Sequence, residues 1–153
     1  MQATIEAIFI APMGGEAMQS VTEVTALARC GLEGDRYCKR TGYWTNVDEC
    51  EVTFIQSEHL DEIARTAGIS VHHGEHRRNI VTRGIQLESL RGRQFQVGEA
   101  VLEYDRPRPP CFYIEGLTEP GMTRALMGRG GICARVVGSG KMCVGDAIVA
   151  LGD

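Results

Sequence analysis

Short apolar runs separated by glycine-rich turns constrain the fold of this chain more than any other feature. Glycine accounts for 19 of its 153 residues, and the runs between the turns have the length of ordinary strands. The clearest pair comprises residues 94–97 and 100–104, which the Gly98-Glu99 connection joins as a hairpin. The connections are too short for repeated strand–helix–strand units. The sequence therefore predicts a mainly β fold, a closed or nearly closed β-barrel of about eight short strands with one or two helices.

Helical spacing is clear in one segment only. Leu60, Ile63 and Ala64 recur on one face of residues 57–67, with Ser57 as the expected N-cap and Gly68 as the expected C-terminal stop. Residues 120–127 predict a second, shorter helix, whereas the apolar run 112–114 is typical of a strand.

Composition describes an ordinary globular protein. Apolar residues make up 43% of the chain and charged residues 24%, and no repeat, linker or low-complexity tract divides it. We therefore expect a single domain over residues 1–153. The chain shows no signal peptide and no apolar stretch of about 18 residues, which predicts a cytoplasmic protein with no membrane partner. The net charge of −4 argues against a nucleic-acid partner.

The cysteines and lysines restrict the chemistry further. No Cys-x-x-Cys pair occurs among the six cysteines, so we expect reduced thiols that serve mostly as packing residues. Only two residues are lysine, against fourteen arginines. Pyridoxal-phosphate enzymes need a Schiff-base lysine, and this chain offers few candidates.

One proline-rich segment presents a cysteine between arginines. In Arg106-Pro-Arg-Pro-Pro-Cys111, the prolines keep the backbone extended and stiff. The neighbouring guanidinium groups of Arg106 and Arg108 favour the Cys111 thiolate, which is both a nucleophile and a soft-metal ligand. A buried, inert cysteine is an equally good interpretation of these residues alone.

Arginines elsewhere predict anion binding. Arg77 and Arg78 precede a predicted strand; although three histidines lie close by, paired guanidinium groups favour an oxyanion over a cation. Residues 128–131 form a glycine-rich turn around Arg129, which suits either an anion-binding backbone nest or a helix C-cap. Residues 31–36 predict a turn that points Asp35 and Arg36 into a cleft, or a simple surface hairpin. Residues 39–51 are either a lid or a long loop.

These motifs together resemble one known family. The motifs are Gly31-Leu-Glu-Gly-Asp-Arg, Arg77-Arg-Asn-Ile, Leu90-Arg-Gly-Arg-Gln-Phe-Gln-Val-Gly98, Arg106-Pro-Arg-Pro-Pro-Cys111, Gly128-Arg-Gly-Gly131 and Val144-Gly-Asp146. Their order and spacing are similar to those of the MOSC domain, which is named for the C-terminal part of molybdenum cofactor sulfurases. The resemblance implies a β-barrel-rich fold with a cleft for molybdenum cofactor (molybdopterin). It also fits the scarcity of lysine, since the pyridoxal-phosphate chemistry of the sulfurases belongs to a different domain.

The resemblance also implies roles for single residues. Cys111 would be the catalytic cysteine, acting as a molybdenum ligand or as a carrier of activated sulfur. Asn79 would hydrogen-bond the pterin or fix its own loop, and Tyr37 stands where relatives often have histidine. The remaining cofactor-binding residues would be the following: Asp35 and Arg36 at the border of the cleft, and Arg77, Arg78, Arg108, Arg129 and Gly130 around the anionic groups.

Three functions agree with this resemblance. The first is a cofactor-binding protein or sulfur carrier whose partner is an enzyme that donates or accepts the cofactor or the sulfur. The second is a molybdenum-dependent reductase of N-hydroxylated compounds, which would need a separate electron-transfer protein because no iron–sulfur or dinucleotide motif is present. The third is a non-catalytic barrel that binds a small anion.

Overall fold

The computed structural model describes residues 2–152, and β-strands dominate it. The strands are β1 (Thr4–Ile10), β2 (Gln19–Val21), β3 (Glu23–Leu27), β4 (Gly31–Leu32), β5 (Val52–Gln56), β6 (Ile80–Arg83), β7 (Gln94–Val97), β8 (Ala100–Pro107), β9 (Ile132–Gly138), β10 (Gly140–Cys143) and β11 (Ile148–Leu151). The helices are α1 (Arg36–Lys39), α2 (Ser57–Ala67), α3 (Phe112–Leu117) and α4 (Met122–Leu126), with a 3-10 turn at Leu87–Leu90. The mainly β prediction is confirmed, with more strands and helices than expected.

The strands form two sheets, and neither closes on itself within residues 2–152. The larger sheet has the order β11-β7-β8-β9-β5-β6-β1-β2, and the smaller one β10-β3-β4. Among the described strands of the larger sheet, β5 and β6 are the one parallel pair. The larger sheet curves until Thr4 meets Ala147 in an isolated bridge, but one bridge does not make a ladder. Of the predicted closed or nearly closed barrel, the mainly β character is confirmed, and a closed barrel is not supported.

The strand and helix boundaries follow the local signals closely in most places. The predicted hairpin is present as β7 and β8, and α2 ends at Gly68 in the left-handed conformation with φ 67°. The N-cap is Gln56 instead of Ser57, because the Ser57 hydroxyl donates to the Glu6 carboxylate across the sheet. Residues 112–114 were expected as a strand and instead begin α3, since three apolar residues carry too little periodicity to separate the two states.

Two hydrophobic clusters fill the interior. The first lies inside the curve of the larger sheet, where Phe54 and Phe95 meet edge to face at 5.6 Å between ring centroids. The second lies between the outer side of the sheet and the helices, where Ile63, Ile114 and Leu126 are buried together. Helices α3 and α4 are thereby held against the sheet beside the end of the proline-rich segment.

The cysteines depart from the expectation of reduced thiols at one pair. Cys30 and Cys38 form a disulfide, whereas the remaining cysteines are free: Cys50, Cys111, Cys133 and Cys143. The chain turns back between β4 and α1, where the Asp35 amide donates to the Leu32 carbonyl at 3.0 Å, and this turn brings Cys38 next to Cys30. This return of the chain could not be seen from the spacing of the cysteines.

Within the described residues, no helix combines the length and the apolar character that a membrane crossing requires.

Candidate functional site

An arginine-lined pocket opens beside Cys111. It has a volume of about 160 Å³ and lies between α1, the 40–51 loop, the turn before β6 and the start of α3. The arginines that line it are Arg36, Arg77, Arg78 and Arg108. Segments that are far apart in the sequence thus bring four guanidinium groups and one thiol to a single cavity, which we call the arginine pocket.

The consecutive arginines Arg77 and Arg78 reach this pocket through an unusual backbone turn. Arg77 has φ 60°, a left-handed conformation that non-glycine residues seldom adopt. Its Nη1 donates to the Glu16 carbonyl at 2.7 Å, but its buried Nη2 has no hydrogen-bond partner among the described residues. Arg78 donates from Nε to the Gly130 carbonyl at 2.6 Å and from Nη2 to the Arg108 carbonyl at 3.1 Å.

Neither of these two arginines has a carboxylate partner among residues 2–152. Burial lowers the pKa of the Arg78 guanidinium, and burial together with the nearby Arg36 lowers that of Arg77. Both shifts reflect the cost of keeping a positive charge away from water. An anion in the pocket would relieve this cost.

Asp35 and Arg36 enter the site as a connected pair. The Asp35 carboxylate is fully buried and accepts hydrogen bonds from the Ala11 amide and from Arg36 Nη1, each at 3.0 Å. Arg36 Nη2 in turn donates to the Arg77 carbonyl at 3.1 Å. Of the two interpretations of this turn, the cleft is the one observed, with Arg36 in the wall and Asp35 behind it as the group that orients Arg36.

Arg108 is held by the loop that covers the pocket. Its Nη1 lies 2.9 Å from the Asp48 carboxylate. Burial works to lower the pKa of Arg108, but Tyr37, the buried cysteines and Asp48 outweigh it, so that the pKa is raised. Arg106, two residues earlier in the sequence, pairs with the same Asp48 and with Asp105, and it does not line the pocket.

The arginine pocket carries an excess of positive charge. In the described part of the chain, its four guanidinium groups pair with only two carboxylates, those of Asp35 and Asp48, and two positive charges have no carboxylate partner. Guanidinium groups with free N–H donors bind phosphate and carboxylate strongly in surroundings of low dielectric constant. The chemistry of the cavity therefore favours a ligand that carries a doubly charged anionic group.

Cys111 lies where this pocket meets the surface. Its side chain is half-buried and also borders a shallow apolar groove that includes Phe112 and Met127. The backbone around it is fixed, because its carbonyl accepts a hydrogen bond from Thr123 Oγ1 at 3.0 Å. The position is neither sealed in the core nor fully open to water.

Besides Asp35, which lies behind the wall, three predicted residues do not line the pocket. Asn79 is buried and binds Thr53 and the Phe9 carbonyl, so that it fixes the loop, which is one of its two expected roles. Arg129 forms an ion pair with Glu62 at 2.6 Å in a separate groove. Gly130 contributes only through the carbonyl that accepts from Arg78. The glycine turn therefore supports the pocket without entering it.

Of the three nearby histidines, His72 and His73 are exposed and His76 is buried. Within the described residues, no group of three or more metal-ligating side chains comes together.

Sequence reasoning missed the aromatic side of the pocket. Tyr43 stacks on Tyr113 with ring centroids 3.9 Å apart, and Trp44 lies next to it in the wall. Tyr37 lies under the Arg36 guanidinium at 4.4 Å. The available signal was the presence of two adjacent aromatic residues in an otherwise polar loop. The 40–51 loop covers one side of the pocket with Tyr43, Trp44 and Asp48.

The fold has close counterparts among solved structures. The YuaD protein from Bacillus subtilis is 20% identical, with a TM-score of 0.80 over 100% of this chain and 98% of that one. YiiM from Escherichia coli is 20% identical, with a TM-score of 0.71 over 100% of this chain and 71% of the other. YiiM from Geobacillus stearothermophilus is 18% identical, with a TM-score of 0.76 over 98% of this chain and 75% of the other. At these identities the likeness establishes the fold.

No functionally curated protein matches the sequence. A family model does match, that of the MOSC domain, over residues 41–149. This range includes the covering loop, Arg77, Arg78 and the whole proline-rich segment up to Cys111. The resemblance seen in the motifs is thus confirmed over most of the chain, and the protein belongs to the MOSC domain family.

Proposed function

We propose that this protein binds molybdenum cofactor, with an anionic group of the cofactor in the arginine pocket and the metal beside Cys111. The observation that carries the proposal is the buried, unpartnered Nη2 of Arg77 in a pocket with two excess positive charges next to a half-buried thiol. Buried donors are nearly always satisfied in folded proteins. A free one that faces a cavity is an indication of a missing acceptor.

The residues present fit the chemical groups of the cofactor. Its phosphate suits Arg77 and Arg78, whose donors face few competing carboxylates. The thiolate of Cys111 suits the soft coordination of molybdenum. When bound, the metal would supply redox chemistry, while the protein would bind, orient and shield the group.

The size of the cavity requires the covering loop to move. Small-molecule sites usually have volumes of roughly 300 Å³ or more, whereas this pocket has about 160 Å³. Tyr43 and Trp44 belong to the 40–51 loop and narrow the entrance. We therefore expect this loop to open when the cofactor enters and to close over it afterwards.

The test is purification from a molybdenum-replete host, followed by metal analysis. We expect stoichiometric molybdenum or a sulfur adduct in the wild-type protein, and loss of both in Cys111→Ser with nearly unchanged thermal stability. Cys143→Ser is the matched control, because Cys143 lies in β10, outside the residues that line the pocket. A large loss of stability in Cys111→Ser with unchanged metal content would assign Cys111 to packing instead.

Anion binding has its own readout, which does not depend on the metal. Inorganic phosphate should raise the melting temperature of the wild-type protein, because a ligand that binds only the folded state stabilises it. Arg77→Gln should lose most of this rise, whereas Arg129→Gln should retain it, since Arg129 lies in a different groove. Equal responses of the two variants would argue against the arginine pocket as the anion site.

The two roles of Cys111 are distinguished by intact mass. A labile addition of about 32 Da, one sulfur atom, indicates a sulfur carrier. Stoichiometric molybdenum without this addition indicates a metal ligand, in an enzyme that takes electrons from a separate protein. The exposed Phe112, at 80% of its full accessibility beside Cys111, favours the carrier, because an exposed aromatic ring suits contact with a partner enzyme. With neither result, an anion-binding role alone would remain.

A further inference from the structure

One carboxylate of the protein itself lies in the wall of the arginine pocket. Asp48 lines the pocket, and its Oδ2 accepts a hydrogen bond from Arg108 Nη1 at 2.9 Å. Its Oδ1 accepts another from Arg106 Nη2 at 2.6 Å. A carboxylate here has the same hydrogen-bonding chemistry as an anionic ligand. Asp48 therefore binds Arg108 in the way that an anionic group of a ligand would bind it.

The two arginines depend on Asp48 to different degrees. The Arg106 side chain is 34% exposed and also pairs with Asp105 at 2.6 Å. The Arg108 side chain is only 8% exposed, and within residues 2–152 Asp48 is its one carboxylate partner. If Asp48 moved away, Arg106 would keep a second partner and contact with water, whereas Arg108 would be a buried charge without a counter-charge. Such an uncompensated charge is costly.

Asp48 itself can leave its partners at little cost. Its side chain is 50% exposed, so water can solvate the carboxylate when the ion pairs break. The Asp48 amide donates a hydrogen bond to the Trp44 carbonyl at 2.9 Å, and the two residues thus belong to one turn of the 40–51 loop. A movement that takes Asp48 away from Arg108 should therefore also move Trp44, which lines the pocket.

A ligand of ordinary size can enter the pocket only if this loop moves, because the cavity is too small in the closed form. Movement of the loop separates Asp48 from Arg108. A neutral ligand gives Arg108 no counter-charge in exchange. An anionic ligand provides an oxygen that replaces the carboxylate, so that the buried guanidinium group stays paired.

We propose that Asp48 makes the opening of the 40–51 loop depend on an anionic ligand, which takes the place of Asp48 at Arg108 as it enters. This role concerns ligand selection and regulation of the arginine pocket, and it rests on the proposed binding of an anionic group there. Phosphate-like groups displace the carboxylate, whereas neutral molecules leave the loop closed.

The test compares Asp48→Asn with Glu49→Gln. Each variant removes one negative charge from the same loop, but the Glu49 side chain pairs with Arg40 and does not line the arginine pocket. Asp48→Asn should bind phosphate about tenfold more tightly than the wild type, which is the change that one charge-assisted hydrogen bond typically makes. Glu49→Gln should bind phosphate as the wild type does. Calorimetric titration at constant ionic strength measures both affinities.

A second measurement follows the loop directly. Trp44 is the one tryptophan of the chain, so quenching of its fluorescence by acrylamide reports how accessible the loop is. Acrylamide is neutral and does not respond to the charge of the pocket. Without phosphate, quenching should be stronger in Asp48→Asn than in the wild type and in Glu49→Gln. Phosphate should raise the quenching of the wild type towards the value of ligand-free Asp48→Asn.

The proposal is overturned if Asp48→Asn binds phosphate more tightly while Trp44 quenching keeps its wild-type value with and without phosphate. The carboxylate would then only repel the ligand. It is equally overturned if Asp48→Asn and the wild type agree in both measurements. Circular dichroism checks that the variant is folded; if it is not, the response of wild-type quenching to phosphate decides alone.

Arg77→Gln distinguishes this result from a failure of the proposed function. If Arg77→Gln loses phosphate binding while Asp48→Asn behaves as the wild type, the arginine pocket is still the anion site and the role of Asp48 is wrong. If Arg77→Gln binds phosphate as tightly as the wild type, the anion site lies elsewhere and both proposals fail.

Discussion

Among single residues, His76 is the one whose charge state is most tightly coupled to folding. Its ring is fully buried and meets Phe9 edge to face at 5.3 Å. Its Nδ1 accepts a hydrogen bond from the Arg78 amide at 2.9 Å, whereas Nε2 has no partner among the described residues. Burial, followed by the positive charge of Arg78, lowers the pKa of His76 to about 3. The imidazole is therefore neutral in the folded protein.

This neutral histidine should make the protein less stable in mild acid. The ordinary pKa of histidine is 6.5. Below this pH, His76 is protonated in the unfolded chain but stays neutral in the folded chain. The free energy of unfolding should then fall by about 1.4 kcal/mol per pH unit from roughly pH 6 towards the folded pKa. His76→Asn keeps an acceptor for the Arg78 amide and should flatten the slope between pH 6.5 and 5, measured by urea unfolding. Parallel slopes for the two proteins would contradict this role.

The sequence predicted single residues well where the signal was local. Adjacent arginines before a strand and a cysteine after prolines were recognised from residue chemistry, and Arg77, Arg78 and Cys111 all line the arginine pocket. Arg129 had the same local appearance but is paired with Glu62 of α2. That pairing depends on how the helix packs against the glycine turn, which no local pattern encodes.

Among the elements, the 40–51 loop has the largest effect on access to the site. At its start, Thr41 Oγ1 donates to the Pro12 carbonyl at 2.6 Å. Near its end, Asp48 holds Arg108. Between these two fixed points, the stack of Tyr43 on Tyr113 closes the loop over the pocket. Hydrogen bonds and an ion pair thus fix both ends of the loop, and the stack of Tyr43 on Tyr113 holds its middle.

Tyr43→Ala should loosen this closure. A stacked aromatic pair contributes about 0.5–1.5 kcal/mol beyond its buried area, so the loss of global stability should be small. The rate at which iodoacetamide alkylates Cys111, measured by mass spectrometry, should rise several-fold. Val47→Ala is the control, because Val47 is 75% exposed in the same loop. An unchanged Cys111 rate in Tyr43→Ala would show that the stack does not limit access.

Helices and strands were predictable where the segment was long enough to show a hydrophobic period. Helix α2 and the β7–β8 hairpin show clear patterns and were found. The two-residue strand β4 and the three-residue strand β2 are too short to carry a period. Helix α3 was mistaken for a strand because the apolar run 112–114 is too short to show a period, and its Ile114 packs into the second cluster.

At the scale of the whole molecule, the arginine pocket lies beside the second of the two hydrophobic clusters. Ile114 lines the pocket and belongs to this cluster together with Ile63. Leu102 is equally buried but lies in the first cluster, inside the curve of the sheet. Substitutions in the second cluster should therefore affect binding in the arginine pocket more than substitutions in the first cluster.

Matched truncations of the two interiors should separate stability from binding. Ile63→Ala and Leu102→Ala should each lower the free energy of unfolding by about 2–5 kcal/mol, because both leave a cavity in a packed core. Only Ile63→Ala should also weaken phosphate binding to the folded protein, since it loosens the support of α3. Urea unfolding and calorimetric titration measure the two effects. A larger binding defect in Leu102→Ala would reverse this assignment.

The overall topology could be predicted only in part from the sequence. Glycine turns and short connections indicated a mainly β chain. Whether the curved sheet closes, however, depends on long-range pairing such as the single bridge between Thr4 and Ala147. Register over that distance is set by packing of the whole sheet, and no window of residues encodes it.

The surplus of guanidinium charge has a kinetic consequence for any anion that uses the pocket. The protein as a whole carries a net charge of −4, so the surface outside the pocket is more negative still. An approaching anion is repelled at long range and attracted only near the entrance. Added salt screens the long-range repulsion more than it weakens contacts inside the cavity. Moderate ionic strength should therefore hasten the arrival of the ligand, opposite to the usual behaviour of a basic binding site.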